Sequence, residues 1–166
     1  MSGTRRTQLK CLVGLLVLGA LAASSTAGTA GAPILDGPAV LHQSPAAIQA
    51  ALGSPMRTRM VPPGDFLLPD GGIWRAYGGR DLRIDVDFQR ERSTTVVIEF
   101  PDGAIAPRTY EAALEAINLP SSSGPDLVTR DSREWHNLHG YFVRVIASYP
   151  ARDRIDTIIL SVHPFP

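Results

Sequence analysis

The sequence has very little cysteine, lysine or aromatic side chain. Of 166 residues, one is cysteine (Cys11), one is lysine (Lys10) and 7% are aromatic. The chain after position 11 has no thiol, so it can form neither a disulfide nor a thiolate metal site. A domain built from this part of the chain depends on its hydrophobic core alone for stability.

Positive charge is also scarce once the N-terminus is set aside. The chain has 16 basic and 16 acidic residues, and three of the basic ones lie in the first ten positions. The rest has thirteen arginines against sixteen acids, a net charge of −3. Nucleic-acid binding needs a basic stripe, and these arginines are scattered. The composition therefore argues against nucleic acid as a partner.

The first 32 residues have the layout of a secretory signal peptide. Basic residues come first, an apolar run covers residues 11–23, and small residues follow up to position 32. The apolar run is shorter than the ~20 residues that cross a bilayer core, which makes a retained anchor the weaker alternative. The pattern predicts cleavage between Ser24 and Pro33. The mature protein is then periplasmic or secreted, with no membrane span.

The basic region also resembles a more specific export signal. Residues 4–10 read Thr-Arg-Arg-Thr-Gln-Leu-Lys, similar to the twin-arginine signal Ser/Thr-Arg-Arg-x-Phe-Leu-Lys, with Gln8 in place of Phe. The resemblance implies export of an already folded protein. An ordinary basic region preceding the apolar run is the alternative.

The remaining chain divides into a lead-in and two similar stretches. Residues 33–43 are turn-rich and predict a flexible lead-in. Residues 44–103 open with a short helix, with Ser44 as N-cap and Gly53 as stop, followed by a long loop at 56–72. Strand patterns then cover residues 73–77, 82–88 and 95–100. Residues 104–166 repeat this order, with a helix at 109–118 and strand patterns at 133–138, 141–149 and 154–162.

Equivalent segments of the two stretches are separated by similar distances. Trp74 lies 61 residues before Trp135, and the alternating strand at Leu82 lies 59 residues before the one at Tyr141. Such offsets predict a tandem repeat, although two unrelated halves remain the alternative. The predicted fold class is α+β, with two tandem αβββ units whose antiparallel sheet is packed by short helices. Whether the units form one sheet or two stays open.

One motif resembles a known group. Residues 45–55, Pro-Ala-Ala-Ile-Gln-Ala-Ala-Leu-Gly-Ser-Pro, are similar to the opening of SmpA/OmlA (BamE-like) outer-membrane assembly domains. The tandem arrangement over residues 44–163 is similar to β-lactamase-inhibitor-protein repeats. The resemblance implies a short helical element on an antiparallel sheet whose open surface binds another protein. The absence of a lipoprotein cysteine and the ending Asn118-Leu-Pro120 of the second helix depart from the pattern.

Candidates for chemistry are few. His136 and His139 are three residues apart, but a strand would send their side chains to opposite faces, so no metal site is predicted. Asp85 and Asp87 share a strand face and are a possible acid–base pair, although a solvated charge ladder is the commoner arrangement. No residues are predicted to be catalytic or to bind a metal or cofactor. Trp74 and Trp135 are predicted core residues, with binding anchors as the alternative.

The strongest functional candidate is a sheet surface. Strand alternation places three polar side chains opposite the apolar face of the 82–88 strand, and equivalent positions in the second half carry an arginine between two apolar residues. The predicted protein-binding residues are Arg83, Asp85, Asp87, Phe142, Arg144 and Ile146. The sequence thus predicts an extracytoplasmic, non-catalytic module for envelope assembly, inhibition or immunity. Its partner is another envelope or extracellular protein. A periplasmic or secreted hydrolase acting on peptide or glycan is the alternative.

Overall fold

The fold is described by a computed structural model that covers residues 33–65, 68 and 70–165. The predicted signal peptide, residues 1–32, lies outside the described residues. Strands predominate over helices in this part of the chain. The elements, in order, are α1 (Gly37–Val40), α2 (Pro45–Leu52), β1 (Arg57–Val61), β2 (Gly72–Gly78), β3 (Arg83–Gln89), β4 (Arg92–Glu99), α3 (Tyr110–Ala116), β5 (Leu127–Val128), β6 (Ser132–Leu138), β7 (Tyr141–Ala147) and β8 (Ile155–Ser161).

All eight strands form one antiparallel sheet. Their spatial order is β1-β2-β3-β4-β8-β7-β6-β5, so two four-stranded meanders meet where β4 pairs with β8. At this junction Thr95–Glu99 run opposite Thr157–Ser161. The pairing supplies backbone partners to two strands that would otherwise be exposed edges.

Local sequence explains the two longer helices, and both helix predictions are confirmed. The Ser44 hydroxyl accepts a hydrogen bond from the Ala47 amide at 3.2 Å, and Gly53 ends α2 at a φ of 86°. Thr109 caps α3 in the same way, accepting from the Ala112 amide at 3.1 Å. Asn118, at a φ of 59°, follows the end of α3.

Two tight hairpins fix the registers of the strands. Arg90 and Glu91 join β3 to β4 with φ angles of 48° and 63°, and His139 and Gly140 join β6 to β7 with φ angles of 52° and 91°. Two-residue loops with positive φ at both positions match the twist of antiparallel strands. The side chains that face each other across the sheet are therefore set by these short connections.

One face of the sheet is covered by all three helices. Side chains from α1, α2 and α3, including Val40, Ile48 and Leu114, share a core cluster with the inner side chains of the sheet. Trp135 belongs to this core, as predicted, and its indole N–H donates to the Ser123 carbonyl at 3.4 Å. The inner side chains from the central strands are Ile84, Val86, Phe88, Val96, Ile98, Val143, Val145, Ile158 and Leu160.

The prediction of two tandem αβββ units packed by helices is wrong. The described residues form a single eight-stranded sheet, and each half contributes four strands rather than three. The strands that the sequence did not reveal, β1 and β5, are the two sheet edges. Four of the five β1 side chains and both β5 side chains are exposed, so neither strand shows the apolar alternation by which strands are detected.

The segment predicted as a flexible lead-in is attached to the core. Residues 37–40 form α1, which begins with Asp36 accepting a hydrogen bond from the Ala39 amide at 3.2 Å. Leu35 and Leu41 are buried in the core cluster. The Gly37 amide also donates to the Ile117 carbonyl at 3.0 Å, which ties this segment to the end of α3.

None of the helices in the described residues has the length and apolar character needed to cross a membrane.

Candidate binding surface

The sheet face opposite the helices, here called the open face, can be mapped from the strand registers. Residues directly paired in an antiparallel sheet point to the same side, so each row across the strands is a row of neighbours. The middle row is Arg57, Ala76, Asp85, Val97, Ile159, Arg144, Glu134 and Leu127. The rows on either side of it are Arg59, Trp74, Asp87, Thr95, Ser161, Phe142 and His136, and Gly78, Arg83, Glu99, Thr157, Ile146 and Ser132.

The registers bring all six predicted binding residues onto this one face. They occupy two strands, β3 and β7, which are separated by β4 and β8. Phe142, Arg144 and Ile146 are half-buried. Asp85 and Asp87 are only 9% and 4% exposed. The expectation that these two carboxylates lie on a solvated face is therefore wrong. Residues of β2 and β4 flank both of them, and the Arg83 guanidinium also contacts Asp85.

Asp85 belongs to a first ionic cluster, formed with Arg83 and Glu99. The Arg83 Nε donates to Asp85 Oδ1 at 2.9 Å, and its terminal nitrogen donates to Oδ2 at 2.7 Å. The same guanidinium lies 3.3 Å from Glu99. Hydrogen bonding to the Asp85 carboxylate raises the pKa of Arg83 above its ordinary value, despite an opposing effect of partial burial. Both oxygens of Asp85 are thus occupied by one fork-shaped donor.

A second ionic cluster lies across the sheet and consists of Glu134, Arg144 and His136. Arg144 Nε donates to Glu134 Oε1 at 2.7 Å, and the His136 ring lies 3.4 Å from Oε2. The Arg144 guanidinium stacks on the Phe165 ring, 4.5 Å from its centre. The C-terminal segment therefore contacts the open face beside β7.

An apolar patch separates the two ionic clusters. It consists of Val97 and Ile159, which are paired at the β4–β8 junction, and Phe142 and Ile146 on the adjacent β7. All four side chains are partly exposed, and none belongs to the core beneath the helices. Partly exposed apolar side chains bounded by charge are typical of protein contact surfaces.

A basic pocket opens at the β1 end of the open face. It is lined by Arg57, Thr58, Arg59, Trp74, Arg83 and Asp85. Two guanidinium groups lie over the Trp74 ring, with Arg59 5.6 Å and Arg83 5.7 Å from its centre. Cations over an indole face are attracted by its quadrupole and hold it in place. The prediction that Trp74 is a core residue is therefore wrong, and its position fits the alternative of a binding anchor.

Asp87 has an altered affinity for protons. Burial, followed by the nearby charges of Asp85 and Asp65, raises its pKa from 3.8 to about 7, while Arg59 acts in the opposite direction. A buried carboxyl group whose pKa is raised towards neutrality is one signature of acid–base catalysis. Here, however, Arg83 occupies Asp85 and Asp87 does not line the pocket. The two carboxyl groups form part of the sheet's charge network, and only Asp85 borders the pocket.

The two histidines that were considered for metal binding have separate surroundings. His136 lies on the open face in the second ionic cluster, whereas His139 lies in the β6–β7 turn, where its ring contacts the Pro120 carbonyl at 3.2 Å. Over residues 33–65, 68 and 70–165, no three metal-binding side chains converge.

Sequence reasoning missed the β1 arginines and the pair at the junction. Arg57 and Arg59 lie in the segment 56–72, which the sequence predicted to be a loop. Val97 and Ile159 alternate with the buried residues of β4 and β8. Because both strands are apolar at successive positions, their sequences predict burial of both sheet faces and do not single out these two residues as exposed. The alternation of Arg57 and Arg59 with Thr58 was the one available signal for an edge strand.

Comparison with known proteins gives no family. No family model matches the chain, and no curated protein matches it. A cysteine-rich secretory protein from Staphylococcus aureus is 10% identical, with a TM-score of 0.49, covering 78% of this chain and 47% of that one. An extracellular protein containing an SCP domain from Bacillus anthracis is 8% identical, also with a TM-score of 0.49, covering 84% and 49%. The chain spans about half the length of each.

The expected similarity to SmpA/OmlA (BamE-like) domains and β-lactamase-inhibitor-protein repeats is contradicted by the fold. The single eight-stranded sheet is not the predicted pair of helix-packed αβββ units. The matching motif, residues 45–55, corresponds to α2, its C-cap Gly53 and the two residues that follow. A capped two-turn helix that ends in Gly occurs in many folds, because it depends only on local helix chemistry. So short a motif therefore does not identify a family.

Proposed function

We propose that this chain is an exported, non-catalytic protein-binding module that contacts its partner through the open face. The observation that carries the proposal is the apolar patch of Val97, Ile159, Phe142 and Ile146, left without helices and bounded by the two ionic clusters. The clusters hold their charged groups in fixed positions, which favours selection among partners. The signal-peptide pattern supports an envelope or extracellular location for both proteins.

Substitution of two β7 side chains tests this function. Phe142→Ala combined with Ile146→Ser removes apolar contact area at the surface while leaving the core beneath the helices untouched. We expect the protein partner recovered on immobilised wild-type protein from envelope extract to be lost on the variant. The free energy of unfolding should change by less than about 1 kcal/mol, as for other surface substitutions. Quantitative mass spectrometry of the captured material and chemical denaturation provide the two measurements.

A matched variant on the helical side controls for non-specific effects. Glu111 and Glu115 are both exposed on α3, on the opposite side of the molecule. Glu111→Ala combined with Glu115→Ala should retain the partner. Retention by the β7 variant, or equal loss from both variants, would contradict the proposal. Unfolding of the β7 variant would show that Phe142 and Ile146 are structural.

A hydrolase acting on peptide or glycan is the second candidate function. The raised pKa of Asp87, which lies two residues from Asp85 on the same sheet face, is the observation in its favour. Against it stand the 4% exposure of Asp87 and the occupation of Asp85 by Arg83. Turnover of a peptide or glycan substrate that Asp87→Asn abolishes would replace the binding proposal with this one.

A further inference from the structure

β1 is an open sheet edge with an ordered arrangement of side chains. In the described part of the chain it pairs with β2 only. Edge strands direct alternate backbone N–H and C=O groups outward, where an extended segment of another chain can pair with them. The opposite edge, β5, has two residues, whereas β1 has five. β1 is therefore the edge long enough to accept another strand.

The positive charges on β1 determine which extended segments of another chain can pair with it. Arg57 and Arg59 are alternate residues on the open face, and both line the basic pocket. Arg83 is already paired with Asp85 and Glu99, whereas the Arg57 and Arg59 side chains are exposed, with Arg59 also lying over the Trp74 ring. The site therefore has two cations, two residues apart, available to an incoming ligand.

The other side of β1 adds an apolar requirement. Met60 lies on the face opposite Arg57 and Arg59 and is 72% exposed. An added strand would alternate in the same way, with one set of side chains beside the arginines and the other set beside Met60 and Thr58.

We propose that an extended segment of the partner protein, with acidic residues alternating with apolar ones, adds to the sheet at β1. Its carboxylates pair with Arg57 and Arg59 at the mouth of the basic pocket, and its apolar side chains contact Met60. The inference rests on the proposed protein-binding function and names the kind of segment that the partner contributes.

A labelled peptide tests strand addition directly. The probe is an eight-residue peptide, Gly-Glu-Val-Glu-Val-Glu-Val-Gly, and the readout is fluorescence polarisation with the full mature protein. We expect saturable binding that weakens by about tenfold or more in Arg57→Glu/Arg59→Glu. A peptide with lysine replacing glutamate should bind that variant better than it binds wild-type protein. The exposed pair Arg108→Glu/Arg152→Glu makes the same charge change elsewhere and should leave the dissociation constant within about twofold.

A second peptide separates backbone pairing from simple charge attraction. Methylating alternate backbone nitrogens of the acidic peptide removes the donors needed for a sheet ladder but keeps its charge. We expect this peptide to bind about tenfold more weakly than the unmodified one. Equal binding by the two peptides, equal binding by the control and β1 variants, or no binding at all would overturn the proposal. If Arg57→Glu/Arg59→Glu melts early, Arg57→Gln/Arg59→Gln serves in its place.

The outcome is distinguishable from failure of the proposed function. Capture of a partner that depends on Phe142 and Ile146, without any binding of the acidic peptide, would refute strand addition at β1 alone. If neither partner capture dependent on Phe142 and Ile146 nor binding of the acidic peptide is observed, the binding surface as a whole is refuted.

Discussion

Burial of Asp87 between Trp74 and Thr95 couples the stability of the fold to pH. The pKa of this carboxyl rises to about 7 in the folded state, so the folded protein retains a proton that the unfolded chain releases near pH 3.8. The folded state therefore binds more protons than the unfolded state between these values. The contribution of Asp87 to stability falls as pH rises from about 4 to about 7 and is constant above that range.

Asp87→Asn should remove this dependence, because an amide has no proton to lose. At pH 4 the variant and wild type should unfold with similar free energies. At pH 8 the variant should be more stable, by an amount on the order of 4 kcal/mol at most, the free energy equivalent to the change from pKa 3.8 to about 7. Urea denaturation at several pH values measures the difference. A difference that does not change with pH would show that Asp87 does not titrate in this range.

The residue scale also shows what strand alternation can and cannot supply. Alternation correctly placed Asp85 and Asp87 opposite Ile84, Val86 and Phe88. Their burial was not predictable, because it arises from Trp74, Thr95 and Val97 on neighbouring strands. The side chains that lie beside a given carboxylate depend on the strand registers. The hairpins and the β4–β8 junction set these registers, and the sequence of a single strand does not reveal them.

At the scale of elements, the β2–β3 connection depends on a single glycine. Gly78 has a φ of 100°, and a Cβ atom at this position would collide with the Leu82 carbonyl oxygen. Gly79, the next residue, has open space around its Cα. The structure therefore places different constraints on two adjacent glycines.

Alanine substitution should separate these two glycines. Gly78→Ala should lower the free energy of unfolding by about 2 kcal/mol or more, because alanine is strained at positive φ and its Cβ meets backbone. Gly79→Ala should be neutral or slightly stabilising, since it only restricts the unfolded chain. Thermal unfolding of both variants measures the contrast. Equal melting temperatures for the two would contradict the strand geometry described for Gly78.

Elements with an apolar side were predictable, and elements without one were not. The six inner strands and the two longer helices follow from alternation and capping residues such as Ser44 and Thr109. β1 consists of Arg-Thr-Arg-Met-Val, and only Val61 is buried. Its sequence therefore lacks the apolar alternation that predicts a strand. α1 is four residues long and is fixed by Leu35 and Val40 in the core, contacts that are distant in sequence.

The whole molecule is organised by the β4–β8 junction. This pairing joins two meanders into one sheet, places the helices together on one face and leaves the other face open. The sequence left the choice between one sheet and two undecided, because both β4 and β8 carry apolar residues at successive positions. The junction also brings Val97 and Ile159 to the centre of the open face, between ionic clusters contributed by different halves.

On the proposed function, the open face of the sheet meets the partner and the helical face does not. A photoreactive benzoylphenylalanine at position 159, in the middle of the open face, tests this in the native envelope, with the exposed position Gln49 on α2 as the comparison. We expect position 159 to form a crosslink of defined mass that is lost in Phe142→Ala/Ile146→Ser, and position 49 to form none. A crosslink from position 49 with none from position 159 would contradict the account.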